Sequence, residues 1–478
     1  MNAIDSLYFF RSELFLTTAI LVLLVLDFIM KKKNLLGWLS LAALVIAVLM
    51  PPPFYPDEAL FFGQYHWDPL TYFFRNIAYF AVGLTILISL VYEKIPENYR
   101  GEFYILILAL APLLTIMGGI ANLLMIFLLI ESVSVTSYLL VGFQKHDKRS
   151  SEASVKYVLF GSVSSAVMLY GMSLLFGATG TIELSKMAVA LHSASAPLQG
   201  TIILAMLLFL VGIGFKISMV PFHMWAPDVY QGAPTPVTAF LTVAPKALGF
   251  AVLIRVLYLA FPGLSNNWSH LFGVLAILTM TIGNIIAISQ TDVKRLLAYS
   301  SIAQAGYILV GFAQRSSLGL QAVLIYTTAY LFTNLGAFFT VLAIERNLGS
   351  NEIETYEGLS KRAPLLALAL TIFLLSIAGI PPLAGFIGKI FIFSAAIQAK
   401  LMPIALAIAL NSALAAYYYF KIVKAMYLSS KSVPLHPFVN PLPIKIAVTA
   451  TLLGTILIGL YPNQLLRIVE QSIAIFQY

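Results

Sequence analysis

Lys156, Lys216, Lys246, Lys389, Glu131 and His223 stand among apolar neighbours in a sequence that otherwise keeps its charges between its apolar runs. A lysine at the centre of a bilayer costs about 2.5–3.5 kcal/mol on insertion scales, so lysines kept there usually line ion or proton routes. Lys246 lies near the middle of one apolar segment, and Lys216 and Lys389 lie inside two others that proline interrupts. Lys156 falls in the first turn of its segment, where a lysine can also snorkel to the interface. Arg75, about one turn inside its own segment, is read as snorkelling. Of the 20 Asp and Glu residues, Glu131 alone falls centrally, in the run LLMIFLLIESVSVTSYLLVG. Ser132, Ser134, Thr136 and Ser137 share that run, and their hydroxyls can carry a proton or hold helices together. A buried Glu–Lys pair is adjustable, because burial disfavours both charges while each partner restores the other. Changing their separation changes the lysine's hold on its proton. His223 is the one histidine of six on this polar axis, and a neutral-range imidazole can pass protons between lysines or simply close a helix end.

Other chemistry has no visible means here. The chain has no cysteine, so it holds no iron–sulfur cluster, disulfide or thiolate metal site. Gly388-Lys389 lacks the earlier glycine and the Ser/Thr of a phosphate loop, and Gly212-Ile213-Gly214 lacks the third glycine and the strand of a dinucleotide fingerprint. No metal-ligand spacing or nucleophile elbow occurs. Movement of protons or cations is what the polar residues leave open.

The elements that must position them are membrane helices. Apolar residues make up 60% of the chain and charged residues 10%, with a mean hydropathy of +0.92, far from the balance of a soluble domain. About fourteen stretches reach spanning length. They lie near residues 12–30, 34–50, 70–92, 103–119, 121–142, 153–177, 201–224, 236–260, 270–289, 293–313, 318–344, 364–397, 401–427 and 444–461. All are apolar nearly all round, without the alternation of a β-barrel strand. The expectation is an all-α polytopic membrane protein, one transmembrane domain over 1–478. Segment 1 has its acidic residues before it and Lys31-Lys32-Lys33 after it, the reverse of a cleaved signal, and is read as a retained helix. With the N-terminus outside, the inner loops and their flanks hold seventeen basic residues and the outer face six, as the positive-inside rule requires. The loop 51–69, carrying Asp57, Glu58 and Asp68, is then outside. The net charge of +8 is thereby a property of inner loops and implies no nucleic-acid partner. Segments 7 and 12 contain Ser218-Met219-Val220-Pro221 and Gly379-Ile380-Pro381-Pro382. Proline frees a carbonyl that water or a polar side chain must satisfy, and such breaks at corresponding places in two halves point to inverted repeats around a mid-membrane route.

The run Phe215-Lys216-x-Ser218-x-Val220-Pro221-Phe222-His223-x-Trp225-x-Pro227-Asp228-Val229-Tyr230-x-Gly232-Ala233-Pro234-Thr235-Pro236-Val237-Thr238-Ala239-Phe240-Leu241 resembles the signature of the antiporter-like membrane subunits of respiratory complex I. Among these it reads like the N type, as does GIPPLAGFIGK with its lysine at 389. The resemblance implies two inverted five-helix repeats, helices 4–8 (residues 103–260) and helices 9–13 (residues 270–427), each with a broken helix. It implies proton-channel roles for Glu131, Lys216, Lys246 and Lys389, a bridging role for His223, and a role for Lys156. It implies no cofactor on this chain, with FMN, iron–sulfur clusters and quinone in partner subunits. The partners would be an antiporter-like M-type subunit and the small membrane subunits toward the quinone site, in a cell (inner) membrane. Electron transfer from NADH to quinone would perturb the Glu131–Lys216 pair, and Lys216 would pass its proton by way of His223 and Lys246 to Lys389 and the outer face. Two other classes remain: a subunit of a multi-subunit cation/proton antiporter or membrane-bound hydrogenase, and a structural spacer without transport.

Overall fold

A computed structural model describes residues 2–52, 55–56, 59–192, 196–428 and 438–476. Asp57, Glu58, Lys431 and His436 lie outside the described residues. Among the described residues there are helices and four isolated bridges but no strand of a sheet. The main helices are α1 (Arg11–Ile29), α2 (Lys33–Val48), α3 (Pro69–Ser89), α4 (Arg100–Gly118), α5 (Leu123–Val141), α6 (Lys148–Thr179), α7 (Ala196–Ile217), α8 (Thr235–Leu259), α9 (Ser265–Ile288), α10 (Val293–Leu309), α11 (Ser317–Leu348), α12 (Pro364–Ala378), α13 (Ala384–Gln398), α14 (Met402–Leu428), α15 (Leu442–Leu460) and α16 (Asn463–Ile473). Twelve described segments are long and apolar enough to cross a membrane, and α2, α12 and α13 are shorter. With α12 and α13 taken as two halves of one crossing, the expected fourteen are recovered.

Helix ends are written in the sequence. Asn122 caps α5 by accepting from Leu124 N at 2.9 Å, and Asp292 caps α10 by accepting from Arg295 N at 2.8 Å. Asp68 caps α3 ahead of Pro69, whose missing N–H costs nothing at that position. Gly349 closes α11 and Gly379 closes α12, both with positive φ that a side chain would strain.

The bundle is arranged around α8, which is buried along nearly its whole length, with α10 and α11 beside it. Helices α1, α14 and α15 expose leucine, isoleucine and phenylalanine outward, the surface a bilayer requires. Close approach depends on small residues. A Cβ on Gly283 of α9 would lie 2.7 Å from the backbone nitrogen of Ala303 on α10.

Two expectations change. Arg75 does not snorkel: it is fully buried, donates to the Ala47 carbonyl at the end of α2, and lies 3.9 Å from Glu13 and 4.6 Å from the Tyr79 ring centre. Arg75 lies on the inward side of α3, and the free carbonyls of a helix C-terminus attract a cation. Glu131 is likewise not the only acid at depth, since Glu13 and Glu345 are both buried. Glu345 lies one residue past the segment expected at 318–344, but α11 runs on to Leu348 and takes Glu345 inside.

Candidate functional site

The three lysines expected deepest, Lys216, Lys246 and Lys389, are buried in the bundle, and each donates to neutral groups. Lys246, on α8, donates to the Ser301 carbonyl at 3.1 Å and its hydroxyl at 3.0 Å, both on α10. Its amine also faces the Tyr230 ring at 5.6 Å. Lys216, in the last turn of α7, donates to the Ser134 hydroxyl of α5 at 3.0 Å. Lys389, on α13, donates to the Ala378 carbonyl at 2.7 Å and lies 4.7 Å from the Tyr307 ring centre. Ala378 is the last residue of α12, so its carbonyl is one that the break at Gly379–Pro382 leaves without an intrahelical donor. The lysine satisfies what the proline frees.

The first break is built differently. After α7 the chain leaves helical geometry, and a short helix follows at Ala226–Gly232. The Phe215 carbonyl accepts from Ser218 N and from the Trp225 indole, each at 3.1 Å, and Val220 N donates to Thr279 of α9 at 3.2 Å. His223 is buried in this break. It makes no hydrogen bond to Lys216 or Lys246 among the described residues.

Glu131 is half-buried and accepts a hydrogen bond from Ser165 of α6. No ion pair joins it to Lys216 among the described residues. One turn along α5, Ser134 instead holds Lys216, so the two charges stand on either side of a hydroxyl-bearing turn. Lys156 lies apart from the axis. Helix α6 begins at Lys148, which puts Lys156 two turns in rather than in the first, and its half-exposed amine pairs with Glu152 at 2.7 Å and Asp228 at 2.6 Å. Asp228 also holds Arg295 at 2.6 Å. Burial alone would raise the Asp228 carboxyl, but hydrogen bonds from Lys156 and Arg295 outweigh it and hold the group below the ordinary carboxylate range.

Sequence reasoning missed a polar face on α10. Ser301, Gln304 and Tyr307 follow one another at three-residue spacing, about 4.5 Å of rise each. Ser301 meets Lys246, Gln304 accepts from Tyr326 of α11, and the Tyr307 ring lies under Lys389. Lys294, at the start of segment 10 and one of the seventeen basic residues of the inner loops and their flanks, is buried and donates to the Ala233 carbonyl at 2.8 Å. Near it, Glu345 accepts from Lys94 and from Thr235. A carboxylate one residue past an apolar segment, opposite a lysine directly after a cap, was the signal available. No group of three or more His, Asp or Glu residues suited to a metal occurs among the described residues.

Residues 121–415 match the family model described as NADH:quinone oxidoreductase/Mrp antiporter, transmembrane. The chain is 40% identical over 445 residues to NADH-quinone oxidoreductase subunit N of Trichlorobacter lovleyi, covering 93% of this chain and 91% of that one. It is 42% identical over 478 residues to NAD(P)H-quinone oxidoreductase subunit 2 of Thermosynechococcus vestitus, covering 96% and 92%. Its fold superposes on a chain of respiratory complex I from Thermus thermophilus with a TM-score of 0.80 and 31% identity, over 95% of this chain and 98% of that one. The chain therefore belongs to the NADH:quinone oxidoreductase/Mrp antiporter family of transmembrane subunits.

Proposed function

We propose that the chain works as an N-type, proton-translocating membrane-arm subunit of an NADH:quinone oxidoreductase. The observation that carries this reading is that Lys216, Lys246 and Lys389 are buried against hydroxyls and carbonyls, with no carboxylate on any of their amines among the described residues. A carboxylate in contact would favour the charged form of a buried lysine and oppose release of its proton. Neutral acceptors serve both the ammonium and the amine, the condition for a group that gains and loses a proton in each cycle.

In this reading the two repeats are 103–260 and 270–427, and the breaks after α7 and α12 occupy equivalent places in them. The N-terminus faces outward, which the excess of basic residues in the loops after α1, α3 and α5 supports. Glu131 senses the redox event and acts on Lys216 through the Ser134 turn. Lys216 hands its proton by way of His223 to Lys246, and the α10 face carries it on to Lys389 and out. Lys156 sits with Asp228 and Arg295 at the inner end, where it orders the loop that carries His223. An elementary charge moved across the membrane costs about 2.3 kcal/mol per 100 mV, so the work comes from electron transfer elsewhere. FMN, iron–sulfur clusters and quinone belong to partner subunits, and the direct neighbours are an M-type subunit and the small membrane subunits.

The same family covers Mrp antiporters, so a cation/proton antiporter subunit, or one of a membrane-bound hydrogenase, is the second reading. Flavin and iron–sulfur subunits co-purifying in mild detergent decide for the first. The chemical test is Lys246→Arg in the assembled complex. Arginine keeps the charge but cannot release its proton, so it should abolish pumping as alanine does. Normal pumping with arginine in reconstituted vesicles makes Lys246 a static charge and removes the proposal's centre.

A further inference from the structure

At the inner end of the bundle, where α8, α10 and α11 meet the loops after α3 and α5, lies a polar cavity of about 190 Å³. Its walls include Lys94, Asp147, Asp292, Lys294 and Glu345, and its volume has room for several waters. Lys94 and Asp147 are exposed at its rim, whereas Glu345 and Lys294 are buried at its base.

From that base a line of hydroxyls runs into the core. Thr235 opens α8 and donates to Glu345 at 2.5 Å. Thr238, Thr242 and Lys246 follow at spacings of three, four and four residues, which keeps all four on one face of the helix. All three threonines are fully buried. Steps of three or four residues are about 5–6 Å along and across a helix, too long for a direct hydrogen bond and short enough for one bridging water. Asn334 of α11 donates to Thr242 at 2.6 Å, and its own Oδ1, fully buried, meets no protein donor. Buried acceptors of this kind are normally satisfied by water. Thr238 donates to the Tyr230 carbonyl at 2.9 Å and Thr242 to the Ala239 carbonyl at 2.8 Å, so each has lone pairs left for a water.

We propose that this cavity is the proton-loading site of the subunit on its inner face. Glu345 takes a proton from cavity water, and the proton passes along waters and the hydroxyls of Thr235, Thr238 and Thr242 to the amine of Lys246, leaving Glu345 a carboxylate again. Asn334 is a positioning residue that fixes Thr242. The ligand is water-borne H⁺, and no other reactant is consumed. This rests on the proposed function and adds to its supply from Lys216 a second route, from the inner face, that reloads Lys246 after its proton has moved on to Lys389. The competing account is a clamp of helix ends, in which Glu345 only neutralises Lys94 and Lys294 and the threonines only pack.

The test uses the whole complex in proteoliposomes, with pumping read by a pH-sensitive dye and quinone reduction measured alongside. Thr242→Val keeps shape and removes the hydroxyl, and should slow pumping about tenfold. Thr242→Ser puts the hydroxyl back and should restore most of it, which a packing role would not predict. Glu345→Gln should match the valine variant, with Glu345→Asp intermediate; if Glu345→Gln fails to assemble, the Thr242 pair decides. In this cysteine-free chain, Ser350→Cys on the cavity wall, treated on inside-out vesicles with a membrane-impermeant sulfonated thiol reagent, should lose pumping where the equally treated parent complex does not. Lys246→Ala is the control for the underlying reading. If it stops pumping while Thr242→Val and Glu345→Gln pump at the native rate, the loading site is wrong and the function stands. If Lys246→Ala itself pumps normally, the function falls first. Equal losses for valine and serine at 242 also overturn the hydroxyl route.

Discussion

At the scale of single residues, the decisive feature is what the buried amines touch. Lys216, Lys246 and Lys389 each found an acceptor far away in sequence or across a break: Ser134 is 82 residues distant, Ser301 is 55, and Ala378 is 11. Their positions were legible, because a charge inside an apolar run is conspicuous in one dimension. Their partners were not, because a serine among serines carries no mark of which helix it faces. Glu131 illustrates the difference. It was expected as the direct partner of Lys216, but Ser165 takes its carboxylate and Ser134 takes the lysine. Any influence of Glu131 on Lys216 is therefore through space, and in a low-dielectric bundle a unit charge is felt over several ångströms. Glu131→Gln keeps the size and the acceptor for Ser165 while removing that charge. Proton pumping and coupled quinone reduction should fall together, about tenfold, in the assembled complex. Unchanged rates of both would mean that the carboxylate has no part in coupling.

At the scale of elements, prolines and glycines announced both breaks, and the structure has both where they were expected. What the pattern concealed was how the ends are tied across the bundle. Asp68 caps α3 and at the same time holds Arg255 of α8 at 2.6 Å, a contact spanning 187 residues. Arg255 also donates to the Gly118 carbonyl at the end of α4 at 3.1 Å. One guanidinium thus ties three helix ends. Burial would raise the Asp68 carboxyl, but the adjacent guanidinium outweighs it and holds the group below the ordinary range. A depressed carboxylate stabilises the fold above its unfolded value, near pH 4, and loses that contribution as pH falls through the lower folded value. Asp68→Ala removes a cap and leaves a buried guanidinium unpaired, a loss of about 3–5 kcal/mol. The complex should release or aggregate this chain at a lower temperature than the parent at neutral pH, and acidification below pH 4 should narrow the difference. Equal thermal behaviour of parent and variant at neutral pH would show that Arg255 finds other partners at no cost.

At the scale of the whole molecule, orientation is the property that gives every pathway its direction. Composition made the membrane legible at once, and helix count followed from length alone. Sidedness has only charge asymmetry behind it, and part of that asymmetry proved to be structural: Lys294 is buried, and Lys94 and Arg346 are engaged with Glu345 and Glu93. A lysine locked in an ion pair is weaker evidence of sidedness than a free one. The part outside ion pairs among the described residues is Lys31-Lys32 after α1 and Lys145, Lys148 and Arg149 between α5 and α6, both on the inner side if the N-terminus is outward. Lys33, by contrast, is bound to Asp27 at 2.8 Å. Two exposed sites on opposite ends of the bundle decide the question, since the chain has no cysteine of its own. Ser185 lies in the first turn of the short helix Leu184–His192, and His146 lies in the loop between α5 and α6. In intact cells, Ser185→Cys should react with an impermeant maleimide while His146→Cys should react only after permeabilisation. The reverse pattern would invert the bundle, turn the cavity beside Glu345 to the outer face, and make it an exit for protons rather than an entrance.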